Sequence, residues 1–260
     1  RLPPGLLPTA GIPWFSVPFG RDSLITAYQT LMLNPDIARG TLLFLAEHQG
    51  REVNDWRDEE PGKILHEIRM GELATRGEVP FGPYYGSVDA TPLFLIVLGE
   101  LVRWTGDWAF ATRLRPHVEA ALHWIDRYGD LDGDGYVEYR TRSTHGIRNQ
   151  GWKDSPDAVS YRDGRPVEPP VALCEVQGYV YAAKQAAAAL FEHWGDLDRA
   201  AALRAEAEEL RERFERDFWV ESEGYYAQAL DASKQPVPAV TSNVGHLLWC
   251  GLIEQQRAAR

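Results

Sequence analysis

Apolar residues recur every three to four positions along most of the chain, which is the period of an amphipathic α-helix. This pattern predicts seven helices, over residues 21–32, 35–48, 89–104, 107–128, 175–194, 196–218 and 242–253. Because helical signals run from one end of the chain to the other, the sequence predicts an all-α fold.

The predicted helices are of two kinds, and the two kinds alternate. Residues 93–98 read Leu-Phe-Leu-Ile-Val-Leu, and a helix that is apolar on all sides is expected to be buried. The helix over 196–218 is dense in Arg and Glu, which predicts an outer helix with a solvated face. We therefore expect pairs made of one buried and one outer helix.

One spacing occurs twice along the chain. Gly106 and Gly135 are 29 residues apart (135 − 106), and Gly195 and Gly224 are also 29 residues apart (224 − 195). In each copy a Gly-Asp turn joins a buried helix to an amphipathic one, with Gly ending the first helix and Asp capping the second. A fixed repeat of helix pairs favours a solenoid or a closed toroid.

Three long connections precede buried helices, over residues 49–88, 129–173 and 220–241. Loops of this length in a compact domain are usually functional. In a toroid the inner helices run the same way, so their N-termini direct partial positive charge to one shared cavity. The residues at these N-termini are Asp22, Asp89, Glu175 and Asn243. The alternative is that each of them only caps its helix.

The longest connection contains Gly151-Trp152-Lys153-Asp154-Ser155. A carboxylate that protonates a leaving group needs limited solvation and a fixed orientation, and a sugar needs an aromatic ring on which to stack. Asp154 beside Trp152 meets both needs. Such a motif in isolation is more often an ordinary surface loop, so its interpretation depends on the helix order, the repeat and the position of the long loops.

Five segments together resemble the catalytic domain of bacterial amylo-alpha-1,6-glucosidase (glycogen-debranching-type) proteins. They are the stretches 11–24, 84–92, 132–138, 151–155 and 242–246, and the resemblance extends over about residues 10–253. It implies a six-hairpin (α/α)6 glycosidase fold, related to the mannosylglycerate-hydrolase-like and glucoamylase-like enzymes. The expected fold class is therefore an all-α (α/α)6 toroid of helical hairpins.

The resemblance also implies roles for individual residues. Asp154 takes the position of the general acid, and Asp22 takes that of a residue that binds the terminal sugar. We expect the remaining substrate-binding residues to be Arg21, Tyr85, Asp89, Trp152, Lys153, Glu175 and Gln177. Glu175 is open to three interpretations: a substrate ligand, a helix cap, or a support for Arg21 or Lys153. We expect Lys153 to point away from Asp154, and the pKa of Asp154 to be raised.

The predicted activity is hydrolysis of α-glucosidic linkages, in particular α-1,6 linkages of glycogen-like substrates or oligosaccharides, by an inverting mechanism. The alternative is a carbohydrate-binding or epimerase-like toroid without hydrolase activity, and a helical scaffold for protein partners is third. The family's barrel has twelve helices, so we interpret residues 1–260 as one domain that lacks its C-terminal hairpins. Under that interpretation the catalytic base lies beyond Arg260, and the chain alone binds sugar with little or no turnover.

Composition narrows the class of partner. The net charge of −11 argues against nucleic acid, and nine Trp with eleven Tyr suit an oligosaccharide or polysaccharide substrate. No charge-free apolar run of about 18 residues is present, so we expect no membrane span. Cys174 and Cys250 are expected to be buried thiols, which favours a cytoplasmic protein. The sequence leaves protein partners open.

One acidic loop resembles a calcium-binding loop in part. Asp130, Asp132 and Asp134 occupy the first, third and fifth positions of an EF-hand-like loop, but Thr141 stands at the twelfth, where a bidentate Glu belongs. We prefer a polar turn to a bound Ca²⁺ here. Since the spacing of His and Cys matches no transition-metal motif, we expect neither a metal nor a cofactor in the catalytic site.

Overall fold

The computed structural model of the protein describes residues 5–259. Arg1 and Arg260, which bear on the expectation of a fragment, lie outside the described residues. The chain divides into two compact units. The first runs to Trp124 and includes Thr141–Ile147, and the second comprises Ile125–Arg140 and Arg148–Arg260. The expectation of a single domain stays a prediction.

The first unit is built from helices and irregular segments. Its α-helices are α1 (Gly20–Thr30), α2 (Pro35–Glu47), α3 (Glu72–Thr75), α4 (Ala90–Thr105), α5 (Trp108–Arg113) and α6 (Arg115–Trp124), with a 3-10 turn at Asp55–Arg57. α4 is the buried helix predicted from its apolar centre, and α1 and α2 pack against it. α2 begins as the sequence indicates, because the Asn34 side chain accepts from the Asp36 amide at 3.0 Å.

The second unit combines two long helices with short strands. Its elements are a π-helical turn (Ile125–Gly129), β1 (Ala172–Leu173), α7 (Cys174–His193), α8 (Leu197–Asp217), β2 (Trp219–Val220), β3 (Tyr225–Tyr226), β4 (Ala229–Leu230), β5 (Pro236–Val237), a 3-10 turn (Ser242–Val244), α9 (Gly245–Cys250) and α10 (Gln255–Ala258). α7 is largely buried and packs on α8 and α9. These helices form the core of the unit.

A small antiparallel sheet, in the order β1-β4-β5, lies at the N-terminal end of the long buried helix α7. Ala172 lies opposite Leu230 in this sheet. The chain enters α7 directly from β1, and the Cys174 amide donates to the Gln228 carbonyl at 3.0 Å. The sheet therefore sets the position of the first turn of α7, which carries two of the predicted site residues.

Both predicted Gly-Asp turns are confirmed. Gly106 and Gly195 adopt positive φ angles of 68° and 81°, a left-handed backbone that ends a helix at little cost for glycine. Asp107 then caps α5 by accepting from the Phe110 amide at 3.1 Å. Asp196 caps α8 in the same way, through the Arg199 amide at 3.2 Å.

The single helix expected over 107–128 is instead three helical segments. α5 ends before Leu114, and α6 starts at Arg115 with Pro116 in its first turn. Because proline has no N–H to donate to the preceding turn, a continuous helix cannot pass through it. After Trp124 the helix widens into the π-helical turn.

The last predicted helix is shorter than the expected 242–253. It opens as a 3-10 turn and ends at Cys250, because Gly251 has a φ of 70°. The strands, α3 and α10 were not predicted, since segments of two to four residues are too short to show periodicity. No helix within residues 5–259 combines the length and apolar character needed to cross a membrane.

Candidate active site

The first unit presents the N-terminal turn of α1. The Gly20 amide donates to the His66 carbonyl at 2.8 Å. A Cβ added at Gly20 would lie 2.0 Å from the Leu65 carbonyl oxygen, so only glycine allows this approach. The contact sets the position of Arg21 and of Asp22, whose side chain is exposed.

Arg21 and Asp89 form a buried ion pair. The Arg21 Nε atom lies 2.6 Å from Asp89 Oδ2, and the Ser87 hydroxyl donates to Asp89 Oδ1 at 2.6 Å. Asp89 occupies the N-cap position of α4, as the sequence indicates, but its carboxylate makes no capping bond, and the Ala90 amide donates to Ser87 Oγ. Because Asp89 holds it, the Arg21 guanidinium has a fixed orientation with its side chain 11% exposed.

Tyr85 is buried with its hydroxyl already engaged. That hydroxyl donates to the His48 carbonyl at 2.9 Å. Burial, followed by the nearby Glu59 carboxylate, raises the pKa of Tyr85 to about 12. The phenol is therefore neutral at physiological pH, and its predicted contact with substrate stays a prediction.

In the second unit, Asn149 closes the loop that carries Asp154. Its side-chain oxygen accepts from the Tyr139 hydroxyl at 2.8 Å, and its Nδ2 donates to the Ser155 carbonyl at 2.6 Å. Both Asn149 and Tyr139 are buried, and burial raises the pKa of Tyr139 above its ordinary value. These bonds join the two ends of the stretch from 149 to 155, and so limit the positions that Asp154 can adopt.

Gly151 brings this loop against the start of α7. A Cβ on Gly151 would lie 2.3 Å from Leu173 Cδ1 and 3.6 Å from Glu175 Oε1. The loop therefore packs closely on Leu173 at the start of α7, three residues before the predicted acid. A larger residue at this position would collide with the Leu173 side chain and displace either that side chain or the loop.

Trp152 is 37% exposed, and its indole ring contacts the side chains of Lys153 and His246. The Lys153 ammonium lies 5.2 Å from the centre of its indole ring, in a cation–π contact. The His246 ring lies 5.4 Å from it on α9. Asp154 follows two residues later and is exposed, so the limited solvation expected of it is not found in this structure. The loop nevertheless carries an aromatic ring that can stack on a sugar and, two residues on, a carboxylate that a substrate can reach.

Glu175 is fully buried in the first turn of α7. Its Oε1 atom accepts from Asn243 Nδ2 at 2.8 Å, and its Oε2 atom lies 3.6 Å from the Cys174 thiol. Leu173, the N-cap of α7, makes no side-chain capping bond. These contacts join Glu175 to Asn243, a partner that the sequence did not indicate. Its predicted roles as a substrate ligand, or as a support for Arg21 or Lys153, stay predictions.

Gln177 is buried and bound to backbone. Its Oε1 accepts from the Val137 amide at 3.0 Å, while its Nε2 donates to the carbonyls of Val137 and Leu173 at 2.7 and 3.0 Å. The amide therefore has few positions left for a sugar hydroxyl, and the predicted contact with substrate stays a prediction.

His246 has a partner that the sequence does not reveal. The Tyr179 hydroxyl is 2.6 Å from His246 Nδ1, and the two rings meet edge to face at 5.7 Å. Tyr179 thus fixes a ring that packs against Trp152. The motif over residues 242–246 was visible in the sequence. The sequence alone does not show, however, that His246 of this motif packs against Trp152.

The predicted site residues thus fall into two groups. Arg21 and Asp89 are joined in the first unit, and in the second the loop of Gly151 packs on Leu173, next to the first turn of α7 that carries Glu175. That all of them line one cavity stays a prediction.

Solved structures at low sequence identity share this fold. The GH63 mannosylglycerate hydrolase of Thermus thermophilus matches with a TM-score of 0.68 and 17% identity, over 100% of this chain and 72% of that one. A GH78 rhamnosidase of a Bacillus species matches with a TM-score of 0.65 and 16% identity, over 94% and 22%. A Klebsiella oxytoca rhamnosidase matches with a TM-score of 0.55 and 15% identity, over 94% and 40%. The predicted all-α class of (α/α)6 helical hairpins is therefore confirmed.

The family is shown by a match that covers most of the chain. The profile of the mannosylglycerate hydrolase MGH1-like glycoside hydrolase domain matches residues 19–260, so the chain belongs to this family of glycoside hydrolase domains. No curated protein matches it. The chain spans 22% of the Bacillus rhamnosidase and 72% of the mannosylglycerate hydrolase. The six-hairpin glycosidase superfamily is as predicted, whereas the comparisons do not single out amylo-alpha-1,6-glucosidase.

Proposed function

We propose that this protein is an inverting glycoside hydrolase in which Asp154 is the general acid. The observation that carries the proposal is a loop closed by Asn149 that bears both the half-exposed Trp152 ring and, two residues later, the exposed Asp154 carboxylate. Asp154 donates its proton to the glycosidic oxygen as the bond to the anomeric carbon breaks. Water attacks that carbon from the opposite face, and a second carboxylate takes its proton.

The binding roles are divided among the other predicted residues. Trp152 stacks on the sugar ring, Lys153 supports the indole, and Asp22 with Arg21 hydrogen-bonds hydroxyls of the terminal sugar. Glu175, held by Asn243, fixes the start of α7 behind the Gly151 loop. We place the base on a carboxylate outside this group, and Glu175 is the first alternative to test.

For the substrate we propose a terminal α-glucosidic linkage, in particular α-1,6, of an oligosaccharide or glycogen-like chain. The motif at 151–155 and the stretches that resemble amylo-alpha-1,6-glucosidase support it. A second candidate is a mannosylglycerate-like glycoside, which the description of the matching family supports. The Thermus hydrolase has been solved in complex with glucose and in complex with Tris and D-glycerate.

The test compares Asp154→Asn with wild type in the protein as its gene encodes it. On substrates with poor leaving groups the variant should lose roughly 10²–10⁴ in kcat, because the proton donor is gone. On a glycosyl fluoride it should keep most of its activity, since fluoride leaves with little protonation. Asp157→Asn, an exposed carboxylate on the same loop, is the matched control and should behave as wild type.

Equal losses on both substrate types would show that Asp154 is not the acid. If the protein binds oligosaccharides but cleaves none of them, the carbohydrate-binding alternative replaces hydrolysis. A panel of isomaltose-type, maltose-type and mannosylglycerate substrates decides between the two substrate classes. Inversion is read from the anomer first released, by NMR.

A further inference from the structure

The acidic loop Asp130–Glu138 holds its shape through its own backbone. Asp130 accepts from the amides of Gly133 and Gly135 at 2.7 and 2.9 Å. Asp134 accepts from the Tyr136 amide at 2.9 Å. The turn is therefore formed by hydrogen bonds that do not depend on a ligand.

The carboxylates of this loop converge. Oxygen atoms of Asp130, Asp132 and Asp134 all lie within 4.8 Å of one another, the one such grouping found among residues 5–259. Three carboxylates at this separation repel one another unless a cation lies between them. A positive charge close to these three carboxylates would therefore stabilise the loop.

Lys234 supplies that charge from the β4–β5 turn. Its ammonium is 3.0 Å from Asp132 Oδ2 and 2.8 Å from Asp134 Oδ2, and it also pairs with Glu138 Oε1. Although burial alone lowers the pKa of Lys234, the hydrogen bonds to Asp134, Glu138 and Asp132 raise it above its ordinary value. One side chain, 96 residues beyond Glu138, therefore acts as the cation of the loop.

Glu138 shows that the ammonium does not satisfy the cluster completely. Its side chain is fully buried, and its second oxygen, Oε2, has no hydrogen-bond partner among the described residues. Burial raises the pKa of Glu138, against the opposing effect of Lys234. With Asp130, Asp132 and Asp134 the loop holds four carboxylates, three of which contact the one ammonium. Carboxylate oxygens in excess, one of them unpartnered and buried, are what Ca²⁺ binds.

We propose that the Lys234 ammonium is a built-in cation occupying a latent Ca²⁺ site formed by Asp130, Asp132, Asp134 and Glu138. In the natural protein the lysine makes the loop independent of calcium. When the ammonium is removed, the same carboxylates bind Ca²⁺. Calcium fits better than Mg²⁺, because it accepts irregular oxygen coordination whereas Mg²⁺ demands a near-ideal octahedron.

The decisive variant is Lys234→Met, which keeps the length of the side chain and removes its charge. Calcium binding is measured by calorimetry and by Tb³⁺ luminescence, and thermal unfolding is followed with CaCl₂ or with EDTA. Wild type should show no calcium-dependent shift in Tm. The variant should melt lower in EDTA and gain roughly 5–10 °C at a free Ca²⁺ concentration about 100 times its dissociation constant.

Lys184→Met is the matched control. Lys184 also lies between two carboxylates, 2.8 Å from Asp126 and 2.7 Å from Glu206, but outside the loop. It should lose stability without any response to calcium. Adding Asp132→Asn to Lys234→Met should weaken the calcium response, because it removes one of the four carboxylates.

Three results would overturn the proposal: no calcium response in Lys234→Met, an equal response in Lys184→Met, or comparable calcium binding by wild type. If Lys234→Met does not fold in EDTA, it is refolded with CaCl₂ beside Lys234→Arg. Recovery with calcium supports the latent site. Failure with calcium, while Lys234→Arg folds, contradicts it.

Discussion

The buried carboxylate of Asp58 provides the sharpest test of the packing in the first unit. Asp58 is 1% exposed and accepts four hydrogen bonds. Its Oδ1 accepts from the amides of Arg142 and Ser143 at 2.7 and 3.1 Å. Its Oδ2 accepts from the hydroxyls of Tyr84 and Thr141 at 2.8 and 2.9 Å. One side chain therefore fastens the segment Thr141–Ile147 to the rest of its unit.

The proposed change is Asp58→Asn. Asn keeps one oxygen for the two amides, but it presents an NH₂ group to the two hydroxyls, so two charge-assisted bonds are lost. At roughly 1.5–3 kcal/mol each, the free energy of unfolding should fall by about 3–6 kcal/mol. The backbone does not add to this cost, because the φ of 49° at Asp58 is one that Asn tolerates well.

The assay is urea denaturation of the variant beside Asp55→Asn. Asp55 lies three residues earlier and pairs with Arg142 at 3.2 Å, but its side chain is 68% exposed, so that change should cost under about 1 kcal/mol. Limited trypsin digestion should also cut Asp58→Asn faster at Arg140 and Arg142. The reasoning fails if the two variants are equally stable, or if Asp58→Asn loses less than about 1 kcal/mol.

Two further predictions concern pH and the Gly151 loop. Burial is the main cause that lowers the pKa of His66, and the nearby positive charges of Arg21, Arg69 and Lys63 lower it further. Below about pH 6.5 the histidine is therefore protonated in the unfolded chain but not in the folded one. The free energy of unfolding should therefore fall with falling pH, by up to about 1.4 kcal/mol per unit, and a profile of His66→Gln that keeps this slope would contradict it. Gly151→Ala should weaken oligosaccharide binding measured by calorimetry, and Leu173→Ala should partly restore it. Gly245→Ala, where an added Cβ meets nothing within 4 Å, should leave binding unchanged, and an equal loss there would count against the contact.

Local signals in the sequence predict much of the helical fold. The turns at Gly106 and Gly195 were predictable because a left-handed glycine followed by a capping Asp is a property of adjacent residues. The break near Pro116 could also have been read locally, since the ring removes a donor whatever surrounds it. Segments as short as β1 carry no periodic signal, and only their antiparallel partner reveals them.

The candidate site was predictable only in part, because its partners are distant along the chain. Asp154 and Trp152 are close in sequence, so their combination was visible. The side-chain amide of Asn243 donates to the Glu175 carboxylate from 68 residues away. Residue types alone do not reveal such a pair. The N-cap position of Asp89 is predictable because capping is a local rule, whereas its ion pair with Arg21 joins residues 68 positions apart.

The Gln177 side chain joins helix α7 to the acidic loop through the backbone of Val137, and so affects local unfolding of the second unit. With one oxygen and one nitrogen it reproduces on Val137 the pair of bonds that a neighbouring β-strand would make. A side chain of helix α7 therefore satisfies the N–H and C=O groups of Val137 that a neighbouring strand would otherwise satisfy. The Val137 amide can exchange its hydrogen with solvent only when the first turn of α7 releases it. We therefore expect the acidic loop and the beginning of that helix to unfold locally together, although 40 residues separate Val137 from Gln177.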